Sequence, residues 1–574
     1  MMKTIFLILA VTISFPASNS KAQSATWQWQ KSIGGPDDDD GIEIVTDANG
    51  NTYTTGVFEG TVDFDPGPAV ANLAVTSVGA FVCKLDSAGN FVWAKQFGGS
   101  GTSNPRSIRL DSNNNVCLTG YFYGTVDFDP GPSVFNLTIP LSTADVFVCE
   151  LDSGGNFKWA KAIGGSASDY GQTIAIDRFN AGSIYVAGTF KSIVDFDPGP
   201  GIFNLTSTGT DDAFIVKLDS QANFIWAKAI NGLSFVFPRE LVLDEHENIF
   251  LTGYFYDTTD FDPGPLVYNL TSPTNDQNTY ILKLDSAGNF IWANSFKGTY
   301  ENFSSGIVTD ATGNGDIYIT GEFEGTIDFN PGPATYNLTS AGDGDIYITK
   351  LDSAGNFNWA KKIGGTFWDQ PQAILMDSSA DKNIYLAGIY TGNVDFDPGL
   401  DTAIMQGSGV TDIFVCKFDS SGNFAWALNA GGGAADYGRS LSMDAYGNLF
   451  TTGTFESDTL TFGQDFLINT AAQQRDIFIA KIDTALIFTS YHASKKESSD
   501  ILLLPNPAST KVTVYSGTTK PFEIIITDIA GKIVYKTKAR GNPEINTSGF
   551  DNAVYMVKVY DNDGMRCKKL FISR

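Results

Sequence analysis

Histidine is almost missing from this chain, with only His246 and His492 among 574 residues. A His-rich zinc site is therefore excluded, and any Ser-His-Asp arrangement would have to use one of those two. Basic side chains are also scarce, 37 against 64 acidic ones, and the formal charge of −27 argues against a nucleic-acid partner. Charged residues make up only 18% of the chain while 42% are hydrophobic and 13% aromatic, which excludes disorder for most of its length. Fifty-nine glycines point to many tight turns rather than long helices. Beyond the N-terminus, no apolar run is long enough to form a membrane helix.

What is present begins with Lys3, the apolar run from Ile5 to Phe15 and a polar stretch ending Ser20-Lys21-Ala22. This pattern predicts a secretory signal peptide over residues 1–22, cut after Ala22, because the apolar core is too short to span a bilayer. The first cysteine is Cys83, so no cysteine stands at the cut to take a lipid. The expectation is an exported protein with no transmembrane segment in the mature chain.

Self-similarity governs the next 461 residues, 23–483. KLDSAGNFVWAK from Lys84 recurs as KLDSQANFIWAK from Lys217, KLDSAGNFIWAN from Lys283 and KLDSAGNFNWAK from Lys350. Trp29, Trp93, Trp159, Trp226, Trp292, Trp359 and Trp426 follow at intervals of 64, 66, 67, 66, 67 and 67 residues. Each unit holds four strand-like runs, which we letter a to d. In the second copy they are SIRLD, NVCLTGYF, VFVCELD and NFKWAKAIG. Loops of the D-x-x-G-N kind join a to b and c to d, with an Asp to cap each hairpin and Gly or Asn to supply a positive φ. Runs c and d are apolar at both parities and should be buried on both faces, which requires a packing layer on each side.

Four-stranded antiparallel sheets stacked face to face around an axis meet that need, so the expected fold is all-β, a seven-bladed β-propeller. The chain starts with a lone d run at Trp27 to Ile33 and the seventh unit stops after its c run, so the N-terminal strand should complete the last blade and close the ring. The unit resembles the SBBP family of bacterial propeller repeats, a resemblance that bears on fold and says little about activity. Cys83, Cys149 and Cys416 share a repeat position that holds Val216, Leu282, Thr349 and Ala480 elsewhere, so they read as small buried residues. Pairing of Cys117 with Cys149 is the one disulfide the spacing leaves open.

Composition changes after a polar linker, residues 484–500. Residues 501–574 carry 11 basic and 6 acidic side chains, so the acidic excess belongs to the repeats. Leu504-Pro505-Asn506-Pro507-Ala508, the run from Ile526 to Lys532, Val554-Tyr555-Met556-Val557-Lys558 and Lys568-Lys569-Leu570-Phe571-Ile572 alternate like strands of a small sandwich. The four ordered motifs resemble the C-terminal sorting domain of the type IX secretion system of Bacteroidetes, with Ala553 where that family usually has glycine. The resemblance implies passage through the outer membrane by the type IX machinery, acting on residues 501–574, followed by release or surface attachment.

The most repeated polar motif is DFDPG. Its carboxylate pairs are Asp63 and Asp65, Asp127 and Asp129, Asp195 and Asp197, Asp260 and Asp262, and Asp395 and Asp397, with Asp328 and Asn330 in the variant copy. In an extended segment both acids face one way and Phe the other, and Pro-Gly suits the centre of a type II turn. Paired carboxylates suit calcium, the only cofactor the sequence offers, and they equally suit backbone capping in a turn.

Topology puts these loops on one rim together with the d-to-a crossovers, which carry the acidic run Asp37 to Asp40, Asp169 and Asp436. That rim is expected to be negative, either as a ligand face or as solvated charge. The strand-d tryptophans read as packing between blades. No catalytic residue is assigned, although Glu43, Glu240 and Glu245 break the repeat near the a runs. Two functions fit: a non-catalytic binding or scaffolding module for a glycan or protein ligand, and an extracellular carbohydrate-active hydrolase or lyase using channel carboxylates.

Overall fold

The computed structural model describes residues 25–484 apart from 179–181, 273–275, 299, 311–312 and 472, and residues 502–572 apart from 505–509, 516–520, 529–531 and 562–563. The expected signal peptide and almost all of the expected linker lie outside the described residues. Those described are all-β, fall into two compact units that divide at residue 487, and contain no helix.

Seven antiparallel sheets, each with four strands in the order a-b-c-d and three of them extended to six by a small hairpin beside strand d, make up most of the first unit. Sheet 1 runs Asp40–Thr46, Thr52–Phe58, Gly79–Leu85 and Phe91–Gly99. The a strands of the next six are Thr102–Leu110, Tyr170–Ile176, Val236–Leu243, Asn302–Thr309, Gln370–Met376 and Asp436–Met443. The fourth strand of sheet 7 is the N-terminal Thr26–Ile33, paired antiparallel with Asp476–Asp483. Each a strand packs on the a strand of the next sheet, and that of sheet 7 packs on that of sheet 1.

Strands b and c are the doubly buried ones, as in Ile184–Phe190 and Asp212–Leu218, where every residue is buried. Strand d differs from the expectation. Phe91–Gly99 is half-buried for most of its length because it lies at the outer edge of its sheet, and Val92 is exposed. Its tryptophan still packs between sheets. A Cβ on Gly89, which has φ +79° in the c-to-d turn of sheet 1, would stand 3.2 Å from the Trp29 ring of sheet 7, and Gly155 stands in the same relation to Trp93. The hairpin chemistry follows the sequence: Asp47 Oδ1 accepts the N–H groups of Asn49 and Asn51 at 2.9 and 3.0 Å, with Gly50 at φ +80°.

Cys117 and Cys149 are free thiols. Cys149 lies opposite Leu118 and Cys117 opposite Glu150, so the two side chains leave opposite faces of the sheet and the disulfide left open by the spacing is not made.

In the second unit, Leu502–Leu504, Lys511–Tyr515 and Glu544–Asn546 form one antiparallel sheet. Phe522–Thr527, Ile533–Ala539, Val554–Asp561 and Gly564–Phe571 form another. Leu503, Val512, Val514 and Ile545 from the first share a buried core with Phe522, Ile524, Val557, Val559 and Leu570 from the second.

Candidate functional site

The six DFDPG segments are latches between sheets. In each, the b-to-c connection folds into a small hairpin whose first strand meets the end of strand d of the preceding sheet: Asp127 pairs with Gly98, Asp195 with Gly164 and Asp260 with Asn231. The central Phe64, Phe128, Phe196, Phe261, Phe329 and Phe396 are fully buried. Asp63 Oδ1 accepts the N–H groups of Asp65 and Ala71 at 3.1 and 2.8 Å, and Asp65 Oδ1 accepts that of Gly67 at 2.7 Å.

The same pattern recurs at Asp127 and Asp129, Asp195 and Asp197, Asp260 and Asp262, Asp328 and Asn330, and Asp395 and Asp397. Gly67 and its five counterparts do not adopt positive φ, so the carboxylate closes the turn and the type II geometry expected from Pro-Gly does not form. Among the described residues no group of three or more His, Cys, Asp or Glu side chains is arranged to hold a metal ion.

Of the crossover acids expected on a solvated or ligand-facing rim, Asp37 is exposed and the others are buried or paired. Asp39, Asp169 and Asp436 are fully buried, as is Asp369 in sheet 6, which the sequence reading passed over. Asp39 accepts the N–H of Gly35 at 2.7 Å and that of Glu59 at 3.2 Å, and Asp169 those of Gly165 and Lys191 at 2.9 and 3.0 Å. Burial pushes the Asp39 carboxyl up to about 8 and those of Asp169 and Asp369 to about 7, outweighing those N–H donors. The neighbours Asp38 and Asp40 each bond Arg475 at 2.8 Å.

Two of the three repeat-breaking glutamates, Glu43 and Glu240, meet in one cavity of about 490 Å³ that all seven a strands line. Every a strand carries a β-bulge at the same place, five residues before its turn aspartate, and the seven bulged residues are Ile42, Arg106, Gln172, Arg239, Ser305, Gln372 and Arg439. All seven line the cavity. A bulge re-aims one side chain and spoils the unpaired strand edge as a template for further pairing. Gly or Pro precedes six of the seven, as Pro105 and Pro238 precede Arg106 and Arg239. Proline costs no ladder hydrogen bond at such a position.

One residue further along each strand lie Glu43, Ser107, Thr173, Glu240, Gly306, Ala373 and Ser440. In four sheets this side chain accepts an N–H from the next a strand. Glu43 takes that of Ile108 at 2.6 Å, Thr173 that of Leu241 at 3.3 Å, Glu240 that of Ile307 at 3.0 Å, and Ser440 that of Ile44 at 3.2 Å. The two glutamates also share Arg109, at 2.5 Å for Glu43 and 3.6 Å for Glu240. Burial pushes Glu240 up to about 7 against the charge of Arg109. Glu245 and His246 lie in an exposed turn and line no part of the cavity.

Five arginines line the cavity against two glutamates, so a protein of charge −27 keeps a basic cavity. Arg106 stacks on the Tyr121 ring and Arg439 on Tyr437, with cation-to-centroid distances of 5.4 and 5.5 Å. Phe235, Phe237 and Tyr254 stack on one another outside that lining, Phe237 and Tyr254 at 5.1 Å and 15°. Glu43 and Glu240 are expected from the sequence as breaks in the repeat, whereas the arginines are not among the expected residues. The signal was available: aligned on the turn aspartates, three arginines fall in one column that otherwise holds Ile, Gln and Ser.

The second unit decides the cellular address. Residues 503–573 match the family described as Secretion system C-terminal sorting domain. The chain is thus an exported protein, secreted or held at the outer cell surface and handled by type IX secretion. Among curated proteins it is similar to an uncharacterized WD repeat-containing protein of Acanthamoeba polyphaga mimivirus, 21% identical over 515 residues, covering 76% of this chain and 36% of the relative. It is also similar to the regulatory protein FlaEY of Caulobacter vibrioides, 26% identical over 168 residues, covering 28% of this chain and 17% of that protein. The chain thus spans about a third of the first relative and less of the second. A crystal structure of a protein of unknown function from Bacteroides caccae aligns with 58% of this chain and 93% of its own, at 9% identity and a TM-score of 0.26.

Proposed function

We propose that residues 23–483 form a seven-bladed β-propeller of the SBBP kind, exported behind a signal peptide of residues 1–22 and joined by a linker over 484–500 to the sorting domain. It acts as a non-catalytic binding module whose ligand enters the central channel. Support for the propeller comes from the cyclic order of a-strand contacts, the pairing of the chain's first repeat strand with its last, and a relative named for WD repeats, which build propellers elsewhere.

One observation carries the binding reading. Repeats that keep KLDSAGNFxWAK nearly unchanged diversify where a bulge turns a side chain into the shared cavity, to Ile, Arg, Gln, Arg, Ser, Gln and Arg. Scaffold positions stay alike because packing demands it, whereas a lining that differs blade by blade presents an asymmetric surface to one ligand. The test is capture of surface glycans and matrix proteins on an array by the full chain and by Gln172→Trp, which fills the cavity from an unpaired position. Capture that is lost in the variant is expected, and capture that survives it would move the site out of the channel.

A second reading is favoured by Glu240, a carboxyl held near 7 beside Glu43 in the same cavity, as a general acid for glycoside chemistry would be. Turnover of a polysaccharide that disappears in Glu240→Gln would establish it.

A further inference from the structure

The bulge ring brings three arginines to one cavity from sheets 2, 4 and 7, and the protein supplies them with too little negative charge. Arg109 takes both glutamates that line the channel. Arg439 has Asp40 at 3.6 Å, and its Nε is buried without a hydrogen-bond partner. Arg106 donates to the Tyr121 hydroxyl at 3.2 Å, and Arg239 has no ion pair among the described residues. The three are near enough to repel: burial lowers the affinity of Arg239 for its proton and the charges of Arg106 and Arg439 lower it further, while Tyr254 and Glu240 act the other way. Such an arrangement is unfavourable in the empty protein and becomes favourable when an anion enters, since guanidinium groups pair bidentately with carboxylate, sulfate or phosphate. Phe237, two residues before Arg239, stacks half-buried on its cross-strand partner Tyr254, and neither ring belongs to the cavity lining.

We propose that Arg106, Arg239 and Arg439 hold the carboxylate of an acidic sugar in the channel. This rests on the binding-module reading and names its ligand. A space of about 490 Å³ takes one or two sugar rings and no folded segment. Planar cations beside the apolar Ile42, Val308 and Ala373 of the same lining match a ring that carries one charged and one apolar side. The other large charge clusters on the repeats are committed: the latch acids to turn N–H groups, the crossover acids to backbone, and Arg475 to Asp38 and Asp40.

The experiment uses the full chain, thermal melts and titration calorimetry with trigalacturonate, a neutral glucose trimer, inorganic sulfate, and a short peptide with a free C-terminal carboxylate. Trigalacturonate is expected to raise Tm by several degrees and the neutral trimer to leave it unchanged. The Arg239→Gln, Arg439→Gln double variant should bind trigalacturonate at least tenfold more weakly, with an unliganded Tm equal to or above the parent because mutual repulsion is relieved. No shift with trigalacturonate, an equal shift with the neutral trimer, or full affinity in the double variant would each overturn the proposal. Sulfate matching trigalacturonate would show that the site reads charge without sugar, and tighter binding of the peptide would assign the channel to a protein partner. Capture of a neutral glycan that Gln172→Trp abolishes would sink this inference while leaving the binding module standing.

Discussion

Burial sets the ionisation of the crossover aspartates. Asp39, Asp169 and Asp369 carry carboxyl groups raised to about 8, 7 and 7, and Asp436 to about 6, in each case chiefly because the side chain is shut away from water. Their folded values lie above the unfolded carboxyl value near 3.8, so the native state holds protons that the unfolded chain releases. Stability therefore falls as pH rises from about 4 to about 8. Thermal melts at matched ionic strength should give a higher Tm at pH 5 than at pH 8.5, and a Tm that climbed with pH would show these carboxyls to be ordinary. The acids themselves were plain in the sequence. Their burial was not, because Asp39 finds the N–H of Glu59 twenty residues further on, a partner that no local pattern indicates.

The latch hairpin is the element that ties one sheet to the next. Phe196 in the third copy packs at 4.9 Å from Phe214 and is fully buried. Phe196→Ala should cost about 3–5 kcal/mol, read as an earlier midpoint in urea, as for other large-to-small changes in a core. The carboxylates beside it already accept backbone N–H groups in all six loops. A melt with chelator and then with millimolar Ca²⁺ is accordingly expected to give the same Tm, whereas a site bound at a hundredfold excess over Kd would add about 2.7 kcal/mol and be easily seen. A rise with calcium would assign metal binding to the six loops. Six copies of DFDPG made the element legible as a unit. That its hairpin adds to the neighbouring sheet depends on the distance between sheets, which a period of about 66 residues does not encode.

At the scale of the whole first unit, the two ends of the repeat region pair with each other. Thr26–Ile33 covers the edge of Asp476–Asp483, and Gly34 packs so closely that a Cβ there would meet Asp476 Oδ1 at 1.9 Å. Deleting residues 26–33 should leave sheet 7 with three strands and an open edge, lowering Tm and promoting association through that edge. A permuted chain with residues 25–36 moved to follow residue 484 should recover the parent Tm. If deletion left Tm unchanged, the pairing of the chain ends would contribute nothing to stability.

By itself the sequence determined the strands, their hairpins, their sevenfold repetition and the sorting domain, because each rests on contacts between near neighbours: an aspartate capping its own turn, or a run apolar on both faces. It also held the arginine column, which gains meaning only once seven strands are set side by side. Tertiary structure alone decided which carboxylates are buried, which face of strand d meets water, where the latch hairpins attach and that three arginines share one cavity. Those outcomes depend on residues tens to hundreds of positions apart, and on seven bulges that turn seven different side chains toward the same space.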